Sequence, residues 1–305
     1  MSKINIEIFS TFAVILIIMA IGYLIKQIGW VSTDNIKGFN TIVMNIALPC
    51  LMFNSLYTFD LSMISTLGTI PIIGVCCGIL MAIITFLIFN LLKIDETKKW
   101  SLLTAVVIGN TGFIGFPVIM GIFGETGFLR AVFFNLADNL MFVIIYTLLI
   151  VKFNGEYRKI INKILHMPFI WGILIGLTFN IFNIPIGDVI GTTISYLGDI
   201  TIPLILLTIG LSMQFDKIKE DLNLSLLATA LKLFIYPIIA LIILSIIPMN
   251  TFENNIILIQ GGMPAAMVTL SLAIEFDLDT NLATNTIVIS TLLSLITLPI
   301  LISIL

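Results

Sequence analysis

The sequence predicts an all-helical integral membrane protein of ten spans arranged in two five-span halves, and three observations carry the prediction. Of its 305 residues, 59% are hydrophobic and only 10% charged, where a soluble domain carries about 25% charged residues. Ten mostly apolar runs each approach the roughly 20 residues that a helix needs to cross the hydrocarbon core. The fourth and the ninth of these runs are interrupted at matching places by glycine, proline and polar residues.

The first run, residues 7–27, is preceded by the single lysine Lys3, lacks a small-residue cleavage site and is followed at once by Lys26, so it reads as a span and not as a removed leader. The second, 36–57, contains "NIALPCLMFNSL". The third, 67–92, holds Cys76 and Cys77. With Cys50 these lie in apolar runs, lack metal-ligand spacing and read as packing residues. The fourth, 100–123, is broken by "GNTGFIGFPV". The fifth, 128–151, places Asp138 between Asn135 and Asn139. The charged connection "KFNGEYRKIINKILHMP" separates the halves and ends near the lone histidine, His166, a loop residue. The sixth and seventh runs, 167–184 and 190–213, bring Asp199 of "LGDITIP" to the place that Asn45 holds in the second, and both read as scaffold polar groups. The eighth, 222–247, carries Lys232 near its middle. The ninth, 253–275, is broken by "LIQGGMPAAMV" and leads into a solvated acidic turn with Glu275, Asp277 and Asp279. The tenth is 280–304.

Lysine and arginine are retained on the cytoplasmic side of a membrane protein. Eleven of them (Lys26, Lys37, Lys93, Lys98, Lys99, Lys152, Arg158, Lys159, Lys163, Lys217 and Lys219) fall in the connections after odd-numbered spans, against Lys3 and Arg130 on the other side. Both termini of a multi-pass protein of the cytoplasmic membrane are therefore expected outside. Because five is odd, halves that repeat must be inverted: 1–152, a cytoplasmic loop over 153–166, and 167–305. Gly22 and Gly176 share their offset with Pro49 and Pro203, and that offset brings the fourth span near the ninth.

Irregular backbone at membrane depth persists only where protein or a water-filled cavity satisfies its polar groups. Proline removes a helix hydrogen bond, and glycine lets another backbone approach. Breaks near Gly109–Pro117 and Pro264 therefore create half-helices whose N-termini face each other near mid-membrane. Each carries the equivalent of roughly half a positive charge and several free amides, which together suit an anion. Asn110, Thr111 and Gln260 orient the ligand without a buried charge. Either break alone also reads as a simple kink; their pairing in inverted halves points to a transport site.

At these residues the chain resembles a known family. "NTGFIGFPV", "NIALPCLMFNSL" and the C-terminal stretch from "GGMPAAMVTLSLAIEF" onward are similar to the auxin efflux carrier family, along the whole chain and with the short central loop of its prokaryotic members. The resemblance implies a fold related to the bile acid sodium symporters, in which spans four and nine unwind and cross. It also implies a scaffold, 7–57 and 167–213, against which a bundle, 67–151 and 222–304, moves like an elevator. A carboxylate substrate such as malate, malonate or an auxin-like acid follows, as does a homodimer through the scaffold. The crossover residues carry over to Asn110, Pro117 and Pro264, with Ala265 and Ala266 where a second asparagine is expected. The substrate-binding set is Asn110, Thr111, Gly112, Gly115, Pro117, Gln260, Gly261, Gly262, Pro264 and Ala265.

Ionisable groups at membrane depth are rare and functional or paired. Asn135, Asp138 and Asn139 share a helix face, which suits a coupling Na+, a transported H+ or a structural hydrogen-bonded cluster. Lys232 pairs with Asp138 or lends the crossover a positive charge for a dicarboxylate. No metal and no cofactor are expected. Nucleic acid is excluded by the lack of a basic stripe and an ATP-driven pump by the lack of a nucleotide motif, while membrane lipids are partners by composition. The leading function is a secondary transporter of a small organic anion. Its rivals are a transporter-like sensor without turnover and an intramembrane enzyme, for which the chain offers no second histidine and no acidic repeat.

Overall fold

A computed structural model describes residues 3–153, 155–156, 167–213 and 221–305. Among these the chain is all helix: α1 (Lys3–Ile28), α2 (Thr33–Ile42), α3 (Leu48–Tyr57), α4 (Ile64–Leu91), α5 (Glu96–Val107), α6 (Phe116–Phe153), α7 (Pro168–Ile181), α8 (Asp188–Asp199), α9 (Thr201–Ser212), α10 (Leu222–Ala230), α11 (Tyr236–Ile246), α12 (Thr251–Gly261), α13 (Val268–Glu275) and α14 (Thr280–Ile304). His166, Arg158, Lys159, Lys163, Lys217 and Lys219 lie outside the described residues, as does most of the 153–166 loop. Large apolar side chains such as Leu91, Val189 and Ile246 are exposed on the outer surface, as hydrocarbon contact requires.

Seven stretches of described helix are long and apolar enough to cross a membrane, fewer than the ten apolar runs, and the differences have local causes. Thr111–Phe153 is one helical stretch of 43 residues, which at 1.5 Å per residue is roughly twice the hydrocarbon thickness. Gly124 bends it, with φ 62° and ψ −161°, a conformation open to glycine and strained for side chains bearing a Cβ. The stretch therefore holds the second half of span four and all of span five. α7 has only 14 residues, because Pro168 starts it and the chain turns at Phe182. Span nine is split into α12 and α13, each too short to cross alone.

Among the described residues three single π turns connect helices, at Val43–Ala47, Thr111–Gly115 and Leu231–Ile235. Each leads into a proline-bearing helix start at Pro49, Pro117 or Pro237. The missing proline N–H and its ring favour a shifted hydrogen-bond register in the preceding turn.

Glycine sets how closely some helices pack. A methyl on Gly22 would lie 2.3 Å from the Leu207 carbonyl oxygen, and one on Gly210 would lie 2.0 Å from that of Met19, so α1 and α9 touch backbone to backbone. Gly172 and Gly176 of α7 meet the Pro49 and Phe53 carbonyls of α3 at 2.4 and 2.6 Å in the same way. Such contacts replace the hydrophobic drive that lipid does not supply between helices. Elsewhere α4, α5, α6 and α10–α14 pack on one another.

Candidate functional site

The two interruptions meet. α5 ends at Val107, and helix resumes at Thr111; α12 ends at Gly261, and α13 starts at Val268. Between them Gly109 and Ala265 form an antiparallel β-bridge. The Asn110 amide donates to the Pro264 carbonyl at 2.8 Å, and the Ala266 amide donates to the Ile108 carbonyl at 3.1 Å. Ala265 donates its own amide to Ser290 Oγ at 3.1 Å. Amides that the sequence leaves free at the two breaks are thus partly used to hold the breaks together, because buried backbone donors must find acceptors.

In the first turn of α13 the Thr269 and Leu270 amides donate to the Ala266 and Met267 carbonyls at 3.1 and 3.2 Å, which leaves the Met267 and Val268 amides there, and those of Thr111 and Gly112 at the first break, without a main-chain partner among the described residues. Asn110 caps the helix that resumes at the first break: its Oδ1 accepts from the Phe113 amide at 3.2 Å, and its backbone carbonyl accepts from Ile114 and Gly115. Asn110, Gly112 and Val268 line a cavity of about 350 Å³. One side of this cavity is lined by Asn40, Met44 and Leu48 around the turn into α3, with Phe169 and Ile205; the other is lined by the crossover and by α6.

A hydrogen-bond chain runs along the α6 wall. Asn139 Nδ2 donates to Asn135 Oδ1 at 3.0 Å, Asn135 Nδ2 donates to Thr111 Oγ1 at 2.8 Å, and Thr111 Oγ1 donates to Asp138 Oδ2 at 2.6 Å. Asp138 is 5% exposed and lies on the cavity wall. Lys232, 1% exposed, reaches the crossover at Gly109, with its ammonium over the Tyr236 ring at 4.0 Å. A methyl on Gly109 would lie 2.9 Å from Lys232 Nζ and 3.2 Å from Asp138 Oδ2. The acid and the base therefore flank Gly109 without forming one of the direct ion pairs found among the described residues. Both reach the same point beside Gly109, so the expected pair is a close electrostatic pair that stops short of a direct ion pair.

Of the residues singled out from sequence, Asn110, Gly112, Asn135, Asp138 and Asn139 reach the cavity wall. Thr111 stands one layer behind, tying Asn135 to Asp138. Gln260 is fully buried and donates from Nε2 to the Thr111 carbonyl at 3.4 Å, while Gly115 leaves room for its Oε1. Gly261 and Gly262 pack against Tyr236 and Leu301, Pro264 and Ala265 belong to the bridge, and Pro117 begins α6. Ala266, named at the second crossover, lines the cavity too, and residues that the sequence leaves unmarked are Met267, Val268 and Ser271 just past the second break, and Asn40, Met44 and Phe169 opposite. The former follow Pro264 closely enough to have been found by the same half-helix argument. The latter come from chain-distant helices and have no local signature.

Away from the crossover, Arg130 Nε donates to Glu253 Oε1 at 2.9 Å with both side chains buried, and Arg130 Nη1 donates to the Thr126 carbonyl at 2.8 Å. Arg130 also lines a second cavity of about 550 Å³ near the C-terminal end of α3, with Asn54, Ser55, Asp60, Glu125 and Asp199.

A family model described as a membrane transport protein matches residues 7–165 and 156–302. An uncharacterized transporter of Methanothermobacter thermautotrophicus is 35% identical over 285 residues, covering 93% of this chain and 94% of that protein. An uncharacterized transporter of Methanocaldococcus jannaschii is 30% identical over 289 residues, with 93% and 94% covered. One from Escherichia coli is 22% identical over 296 residues, with 93% of each covered. With the family pattern matched along nearly all of its length and two broken helices bridged at its centre, this chain belongs to the membrane transport protein family, the auxin efflux carrier family that its sequence resembles, and is a multi-pass membrane transporter.

Proposed function

We propose that the protein is a secondary transporter of a small organic anion held by its carboxylate at the crossover, and that it works by an elevator motion. The observation that carries this reading is the Gly109–Ala265 bridge, which brings two helix starts with free amides and the Asn110 side chain to one cavity. Helix N-termini favour negative charge by both their donors and their dipole. In this reading ten spans form two inverted repeats, both termini are outside, and 7–57 with 167–213 is a dimeric scaffold for the bundle 67–151 and 222–304. The backbone contacts of α1 with α9 and of α3 with α7 support a stiff scaffold. One face of span two supports the path: Asn40, Met44 and Leu48 line the crossover cavity, and Leu51, Ser55 and Thr58 line the second cavity further along the same helix. Lys232 stands beside Asp138, and on the cavity side Asp138 with Asn135 and Asn139 takes a further positive charge, a coupling Na+ or H+ or a cationic group of the cargo.

Purified protein in liposomes is expected to take up labelled malate, malonate or a larger monocarboxylate. Asn110→Ala should lower that uptake at least about tenfold, the cost of a hydrogen bond to a charged group, with folded yield unchanged. Binding without flux would refute transport, and uptake indifferent to Asn110 would refute the site.

A further inference from the structure

The walls of the crossover cavity carry more than a carboxylate requires. Its donors sit on one side: the Asn110 side-chain amide, whose oxygen is already occupied by Phe113, and the first-turn main chain at Gly112 and Val268. Its acceptors sit on α6. Asp138 receives one hydrogen bond, from Thr111 to Oδ2, and its Oδ1 takes none from any described residue. Asn139 spends its amide on Asn135 and leaves its Oδ1 for the cavity. Every donor in the Asn139–Asn135–Thr111–Asp138 chain points toward Asp138, so the chain delivers acceptors, not donors, to that corner.

Among the described residues Asp138 is the charged side chain on this wall, and it is an acid. Lys232, whose ammonium lies on the Tyr236 ring and shares the space beside Gly109 with Asp138, lines none of the cavity. A plain carboxylate docked on the helix starts would therefore look at another carboxylate whose counter-charge, Lys232, does not reach the cavity, and like charges at short range oppose binding. An ammonium on the same ligand reverses the sign of that interaction, and its three donors suit a corner with free acceptors. Apart from Asn40 and Ser271 the rest of the wall is mostly apolar, with Phe113, Phe116, Phe142, Phe169 and Met44, which suits a large apolar body rather than a second carboxylate.

We infer that on the cavity side the substrate itself presents a positive charge to Asp138, and that the crossover cavity takes apolar amino acids as zwitterions: carboxylate on Asn110, Gly112 and Val268, ammonium on Asp138 and Asn139, side chain among the phenylalanines. The inference rests on the carboxylate docking proposed above and replaces the net anion with a zwitterion.

The test is calorimetric binding to the purified full chain, with uptake into liposomes, for L-phenylalanine, L-leucine, 3-phenylpropionate and phenethylamine. Both amino acids are expected to bind. Removing the ammonium, as in 3-phenylpropionate, or the carboxylate, as in phenethylamine, should weaken binding about tenfold or more. Asp138→Asn should bring L-phenylalanine down to the affinity of 3-phenylpropionate and leave the latter no weaker. Should that variant not fold, the four ligands on the unaltered protein still decide. If 3-phenylpropionate binds as tightly as L-phenylalanine, the zwitterion inference fails while the carboxylate reading stands. An amino-group preference that survives Asp138→Asn overturns it as well, because the ammonium then docks elsewhere. If no carboxylate binds at all, both readings fall together.

Discussion

Gly115 sits where a methyl group has no room, 2.1 Å from Gln260 Oε1. Gly115→Ala should force the buried Gln260 amide aside, break its bond to the Thr111 carbonyl and cost about 1–3 kcal/mol. Thermal unfolding in detergent measures this, and Gln260→Ala in the same chain should recover most of the loss because it vacates the contested space. Glu253 poses the opposite problem. It is 1% exposed, is bound to Arg130, and leaves Oε2 without a partner. Glu253→Ala strands a buried guanidinium and should cost about 3–5 kcal/mol, whereas replacing both partners with apolar residues, Arg130→Met with Glu253→Leu, should cost much less. At this scale the sequence was legible where a residue was out of character. Asp138, Lys232 and Asn110 announce themselves in an apolar run, but which of them opens to the cavity depends on a hydrogen-bond chain through Thr111 that no spacing encodes.

Helices show the same division between what composition dictates and what contact dictates. The apolar runs and their glycine-proline interruptions are readable because membrane depth penalises unsatisfied backbone. The three π turns are not, since each depends on a register shift of one hydrogen bond ahead of a proline. The bend at Gly124 that joins two spans into one helical stretch is also hidden, because glycine in a membrane helix more commonly serves packing. The α1–α9 contact yields a prediction of its own. Alanine at Gly210 meets the Met19 carbonyl, a backbone atom that no rotamer change can move away, so Gly210→Ala should lower the folded yield and cost at least about 1–3 kcal/mol. Gly22→Ala on the facing helix should cost a similar amount, and the two together less than their sum, because one widened gap serves both. Additive losses would mean that the helices do not meet as described.

For the molecule as a whole, the crossover was legible as two defects in matched positions, whereas their union was not, because a bridge between Gly109 and Ala265 is a long-range pairing with no local code. Motion of one helical group past another is open to a direct check. Thr11 Oγ1 of α1 donates to the Gly121 carbonyl of α6 at 3.0 Å, and a Cβ on Gly121 would lie 3.5 Å from that of Thr11, within the range that a disulfide spans. Thr11→Cys with Gly121→Cys, in a chain whose Cys50, Cys76 and Cys77 are replaced, should crosslink on mild oxidation, arrest uptake and regain it on reduction. Full uptake by the oxidised protein would show that these two helices need not separate. The bridge itself has a wider consequence. Its two cross-links run from peptide to peptide, so almost any side chain can change around them without loosening the frame. A lineage built on such a junction can retune what it carries by a few replacements on the surrounding walls, and descendants with unlike cargoes would share the same knot of backbone at their heart.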